Sequence, residues 1–264
     1  MSPLDSPANP ADAARAALAF WRSAGVDMDV AEAVFTAPAP QAQPSAPAVR
    51  LRAKAAPQTA DAARALAAGA NSIAELRAAV AAFEGCALKA TARSTVFSDG
   101  VDDAPVLLIG EAPGKDEDEQ GKPFVGRSGQ LLDRMLAEIG LSRSSNILIS
   151  NTIFWRPPGN RDPTPGEIIA CLPFVERLIA LSSPKLLILT GKAAAHTVLK
   201  REEGVMKLRG RRLNYTREGS APVNAMVMLH PAYLLRQPQQ KRLAWLDLLA
   251  AETWLRELGV ATRT

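Results

Sequence analysis

Four short apolar runs punctuate the second half of the chain. Val106-Leu107-Leu108-Ile109 ends at Gly110, and Ile147-Leu148-Ile149 ends at Ser150-Asn151. Leu186-Leu187-Ile188-Leu189 ends at Thr190-Gly191, and Ala225-Met226-Val227-Met228-Leu229 ends at His230-Pro231. Each run is apolar throughout rather than alternating and is bounded by turn residues, the pattern of a strand buried on both faces. Helical stretches separate or follow them: Gly129 to Ile139, Pro165 to Leu181, Ala193 to Lys200 and Lys241 to Leu258. Ser72 to Phe83 reads as a capped helix, with Ser72 as N-cap, Glu75 three residues on, and Leu76, Val80 and Phe83 at helical spacing. Strands alternating with helices predict an α/β fold, a three-layer α/β/α sandwich around a central four-stranded parallel sheet. In such sheets ligands bind beyond the carboxyl ends of the strands.

The N-terminal part is different. Pro10 to Phe35 is Ala-rich, and Ala37 to Pro47 carries prolines at 38, 40, 44 and 47, which no helix or core tolerates. Residues 1–58 are expected to form a largely flexible Ala/Pro-rich segment outside a domain at 59–264. No internal repeat is visible.

Composition narrows the class. Of 264 residues 47% are hydrophobic and 22% charged, which excludes a wholly disordered, collagen-like or disulfide-scaffold protein. No apolar run approaches ~20 residues, so no membrane helix is expected. The first residues lack a basic then apolar signal, and two cysteines suit a reducing compartment, so a cytoplasmic protein is expected. The net charge of +4 permits a nucleic-acid partner without demanding one.

Gly191-Lys192 fails as a phosphate loop, because Leu186 occupies the required glycine position and Ala193 follows the lysine. There is no G-x-S-x-G elbow. His196 and His230 are the only histidines, so no H-x-x-x-H zinc pair exists and no metal is expected.

The longer string is specific. Gly110-Glu111-Ala112-Pro113-Gly114-Lys115-Asp116-Glu117-Asp118, then Gln120 to Gly126 and Gly129-Gln130-Leu131-Leu132-Asp133, resembles the first motif of family 4 uracil-DNA glycosylases. Asn151 with Arg156-Pro157-Pro158-Gly159-Asn160-Arg161-Asp162-Pro163-Thr164-Pro165 resembles the second-strand motif and its loop. Cys171 with Pro184-Lys185-Leu186 resembles the next helix and strand, and His230-Pro231-Ala232-Tyr233-Leu234-Leu235 the second catalytic motif. The resemblance runs from about Phe83 to Leu258. It implies a monofunctional hydrolase of base excision repair, a monomer acting on uracil in single- or double-stranded DNA, with water as nucleophile.

Such an enzyme flips the deoxyuridine out and breaks its glycosidic bond through a cationic sugar and a departing uracil anion. The resemblance gives Glu111 the negative charge and the water, with Glu117 as a second candidate carboxylate, and gives His230 the uracil oxygen. His196, inside its helix, is expected to be structural. By the same resemblance Gly110 and Ala112 are expected to border the substrate. Asn151 offers the donor and acceptor that pair with O4 and N3–H of uracil but not with cytosine. By the same resemblance Phe124 is expected to be the plate under the base. DNA contact is expected from Leu234, Leu235 and Arg236, and from Arg209 within Lys200 to Arg242, where ten basic residues face three acidic ones.

Two departures stand out. Many relatives place an aspartate where this chain has Ala112. That keeps open a DNA-binding module that recognises uracil or abasic sites with little turnover, or a glycosylase for another deaminated base. Family 4 also holds an iron–sulfur cluster on four cysteines; Cys86 and Cys171 match two of those positions, but Phe83 and Trp155 occupy the others. Neither can ligate iron. No cluster and no other cofactor is expected, with Cys86 and Cys171 as buried free thiols.

Overall fold

The computed structural model describes residues 57–262 except 218. The chain opens with α1 (Pro57–Gly69) and α2 (Ile73–Ala82). Then follow β1 (Ser98–Gly100), β2 (Val106–Gly110), α3 (Lys115–Gln120), α4 (Arg127–Ala137) and β3 (Ile147–Asn151). After these come α5 (Pro165–Ser182), β4 (Leu186–Thr190), α6 (Gly191–Leu199), α7 (Val205–Leu208) and β5 (Leu213–Tyr215). The last elements are β6 (Val223–Met228), α8 (Pro231–Arg236) and α9 (Lys241–Glu257). The expected boundary after residue 58 falls inside the first turn of α1; residues 1–56 of that segment lie outside the described residues.

The sheet has six strands in the order β1-β3-β2-β4-β6-β5. The four apolar runs are its parallel centre, as expected. Two antiparallel edge strands extend the four-stranded expectation, β1 on β3 and β5 on β6. Each edge strand is three residues long, Ser-Asp-Gly and Leu-Asn-Tyr, too short and polar to register as an apolar run.

The unbroken apolarity of the central strands follows from the pleat. Leu107, Ile109, Leu148, Leu187, Leu189, Ala225 and Val227 face a core with α1, α2, α5 and α6. Their alternates Val106, Leu108, Ile147, Ile149, Leu186, Ile188, Met226 and Met228 face a second core with α4, α8 and α9. Successive side chains point to opposite faces, and both faces are covered. The Ser72 helix is capped as its sequence predicts: Ser72 Oγ accepts from the Glu75 N–H at 3.1 Å.

Register brings the strand ends level. Gly110 pairs with Asn151, and Thr190 with Met228. The loops after β2, β3, β4 and β6 therefore leave one edge of the sheet together.

Candidate active site

At that edge lies a cavity of about 290 Å³ bordered by Glu111, Ala112, Glu117, Phe124, Asn151, His230 and Arg236. The structure thus gathers most of the residues singled out in the sequence, from three strand ends and the β2–α4 loop.

Glu111 is fixed through its backbone. Its carbonyl accepts from Thr152 Oγ1 at 2.7 Å and from the Ile153 N–H at 3.0 Å, which carries the β2–β3 pairing past the strands. Its half-buried carboxyl ionises less readily than an ordinary glutamate, first because burial penalises the charge and then because Asp162 is nearby.

Phe124 is held from three sides. Its φ of 55° is left-handed, a costly conformation for a bulky residue. Arg143 donates to the carbonyls of Pro123 at 2.7 Å and Phe124 at 2.6 Å, anchored in turn by Asp99 and Asp133. Below, Gly129 opens the way for α4: a β-carbon there would stand 1.8 Å from the Phe124 carbonyl oxygen. The ring lies 5.6 Å from that of His230, tilted by 30°.

Asn151 is 2% exposed at the end of β3, and its Oδ1 is buried with no hydrogen-bond partner among the described residues. An orphaned buried acceptor is costly unless something donates to it. Gly110 makes room for this pair: a β-carbon on it would stand 2.4 Å from Phe124 Cζ and 2.5 Å from Asn151 Oδ1.

His230 caps α8, its Nδ1 accepting from the Ala232 N–H at 3.1 Å. Burial, and then the charge of Arg236, push its pKa down to about 4. At neutral pH the ring is therefore uncharged, and with Nδ1 accepting, the proton sits on Nε2. His230 offers a neutral N–H donor.

Three of the expected residues, Glu117, Leu234 and Arg209, are held in ways the sequence pattern does not show. Glu117 borders the cavity, but its carboxylate is occupied: it accepts from the Gly114 N–H at 3.1 Å and from those of Val125 and Gly126 at 2.9 Å each. It ties the loop after β2 to the loop before α4. Around it runs the short helix α3, with Asp118 buried and accepting from the Arg93 and Ser94 N–H groups. Leu234 is fully buried in the α8 core; its neighbour Leu235, 37% exposed, is the one available to DNA. Arg209 is committed inward, to Asp247 at 2.7 Å and to the Leu243 carbonyl. Arg236 is exposed and borders the cavity.

Sequence reading missed part of the lining. Asn160, Arg161 and Asp162 border the cavity from the loop before α5. Arg161 is fixed by Glu167 through two contacts of 2.9 and 2.7 Å, and Glu167 also accepts from the Thr164 N–H at 2.7 Å. The acid three residues after Thr164, a capping-box spacing, was the available signal.

Cys86 and Cys171 are free, buried and close enough to act on each other's titration. That contact pulls the Cys86 thiol down and, together with burial, pushes the Cys171 thiol up. Phe83 packs edge-on against Phe174 at 5.1 Å, and Trp155 against Phe154 at 6.1 Å, with Trp155 Nε1 donating to Thr95 Oγ1 at 3.0 Å. Among the described residues no group of three or more His, Cys, Asp or Glu is placed to hold a metal ion. Two thiols with two packed aromatic rings do not fit a cluster that takes four thiolates.

The α/β sandwich with this strand-end pocket is shared with a known class: the profile of the uracil DNA glycosylase superfamily matches residues 97–252, and the chain belongs to that superfamily. Its relatives include the type-4 uracil-DNA glycosylase of Sulfurisphaera tokodaii, 30% identical over 73% of this chain and 87% of that protein. The type-4 enzyme of Archaeoglobus fulgidus is 36% identical over 58% of this chain and 78% of its own. That of Thermotoga maritima is 33% identical over 66% and 90% respectively.

Proposed function

We propose that the protein is a uracil-DNA glycosylase that hydrolyses the N-glycosidic bond of deoxyuridine in DNA, releasing uracil and leaving an abasic site. The observation that carries this reading is the orphaned Asn151 Oδ1, buried beside the Phe124 ring. Uracil N3–H is the donor that oxygen lacks, and the same amide donates to O4. Cytosine presents a bare N3 and an amino group, and would leave the Asn151 oxygen and amide mismatched.

The remaining roles follow. Phe124 supports the flipped base. Neutral His230 donates its Nε2–H to the uracil oxygen on which charge develops as the bond breaks; a neutral donor transfers no proton and stabilises the anion as it forms. Glu111, ionised, faces the sugar as it becomes cationic and orients the attacking water. Ala112 leaves these tasks to Glu111 alone. Such groups are typically worth about 3 kcal/mol each in the transition state. Arg236, exposed at the cavity, is suited to a phosphate, and the exposed Leu235 next to it in sequence to the duplex face.

On the same reading the protein acts as a monomer, in the cytoplasm, on single- or double-stranded DNA, and without an iron–sulfur cluster. The donor set supports the last point: Phe83 and Trp155 fill with apolar contacts the positions where thiolates would be needed. The test is incubation with a labelled deoxyuridine oligonucleotide followed by alkali. Cleavage at the deoxyuridine alone is expected; an intact strand with no free uracil would refute the reading.

A further inference from the structure

A second cavity, of about 750 Å³, adjoins the first. The two share Glu111, Asn160, Asp162, His230 and Arg236, so they are continuous along one wall. Away from that wall the second cavity runs past Lys192 and His196, which border it alone. Its apolar side is formed by Ile168, Val205, Met206, Leu229 and Tyr233. Met206 is 53% exposed on α7, an apolar side chain left open to solvent beside a polar cleft. Lys192 and Arg236 are exposed and make no ion pair among the described residues, while His196 is tied to the Glu203 carbonyl at 3.0 Å. Apolar side chains that can cover the face of a base, next to free cations that can meet a phosphate, are what a single-strand groove requires. The first cavity is sized for one flipped nucleotide. The strand that delivers that nucleotide must continue past its wall.

We propose that the second cavity is a subsite for the nucleotide next to the deoxyuridine in the same strand, its base against Val205, Met206 and Tyr233 and its phosphate at Lys192 and Arg236. The proposal rests on the glycosylase reading and deepens it. A neighbour lodged there is unstacked, so occupancy comes more readily in single-stranded DNA, where that neighbour is already unpaired. Carboxylates of Glu111 and Asp162 also lie at the shared wall beside Arg236, so Lys192, away from that wall, is the cation best placed for the phosphate.

The experiment uses the full chain and short single-stranded oligonucleotides with one deoxyuridine. Its 5′ or 3′ neighbour is either a normal nucleotide or a tetrahydrofuran abasic analogue. On one side, removal of the neighbouring base should lower kcat/KM about tenfold, mainly through KM, the scale of one stacked base. In Met206→Ala the difference between the two substrates should shrink to about twofold or less. Leu66→Ala, an exposed position on α1, should keep the full difference. Equal kcat/KM with and without a base on both sides would overturn the subsite, as would a difference undiminished in Met206→Ala. Failure to release uracil from any substrate is a separate outcome and would overturn the glycosylase reading itself.

Discussion

Gly110→Ala is a one-methyl change with a consequence readable from distances. The added carbon would stand 2.4 Å from Phe124 Cζ, 2.6 Å from Cε2 and 2.5 Å from Asn151 Oδ1. Ordinary carbon contacts lie near 3.5–4.0 Å, so each neighbour must retreat by about 1 Å. Neither retreats easily. Phe124 is pinned by Arg143 at both carbonyls and by α4 beneath it. Asn151 is 2% exposed and set in register with Gly110 itself. Overpacking of this kind typically costs about 1–3 kcal/mol of stability. Its effect on the chemistry is larger, because about 1 Å of misplacement in a catalytic constellation costs on the order of 100-fold in rate. The assay is single-turnover release of uracil from a labelled oligonucleotide, with a melting curve on the same sample. A folded Gly110→Ala protein should be slower by about two orders of magnitude. A folded variant within threefold of wild type, at unchanged KM, would refute the placement of base plate and reader on either side of Gly110.

Four further outcomes are expected. His230 has a folded pKa of about 4, below its ordinary 6.5, so protonation favours the unfolded chain; stability is full above pH 6.5 and falls by up to about 3 kcal/mol toward pH 4. Urea titrations of His230→Gln should lack that part of the slope, and an unchanged slope would contradict it. Burial and Asp162 raise the Glu111 pKa, so the acid limb of kcat/KM should lie above the ordinary carboxylate range, and Asp162→Asn should move it to lower pH; an unmoved limb would show that Asp162 does not act on Glu111. Arg209→Met leaves Asp247, whose pKa burial already pushes up to about 6, without its cation; melting should register a loss of about 3–5 kcal/mol, while the salt dependence of DNA binding, measured by anisotropy, stays as in wild type. Cys86→Ser with Cys171→Ser should retain excision, and protein purified without oxygen should be colourless and free of stoichiometric iron; about four irons per chain would overturn the cluster-free reading.

What the sequence revealed depended on how strongly each feature marks itself. Strands buried on both faces give unbroken apolar runs, so the parallel centre was plain. The edge strands contribute three residues each and carry polar ones, so pattern alone passed over them. Helix α1 buries an alanine stripe, Ala60, Ala63 and Ala67, which looks like the Ala-rich stretch before it. At the site, residues that end strands were legible because the sheet dictates where they emerge: Glu111, Asn151 and His230 meet as expected. Residues whose role depends on a distant partner were not. A tally of positive charge cannot see that Arg209 is neutralised by Asp247, thirty-eight positions later. Leu234 and Leu235 are indistinguishable until the phase of α8 turns one inward. Glu117 was singled out by its place in the first motif, and only the three N–H groups converging on it reveal a clamp.

The most direct measurement is free uracil released per enzyme from matched oligonucleotides carrying one deoxyuridine or one deoxycytidine, by wild type and by Asn151→Asp. Wild type should release uracil and leave cytosine in place. Asn151→Asp, which has no N–H for O4, should be slowed on uracil by orders of magnitude or lose its preference. No uracil from the folded wild type, or an Asn151→Asp protein as fast and as selective as wild type, would contradict a uracil-reading pocket built on Asn151.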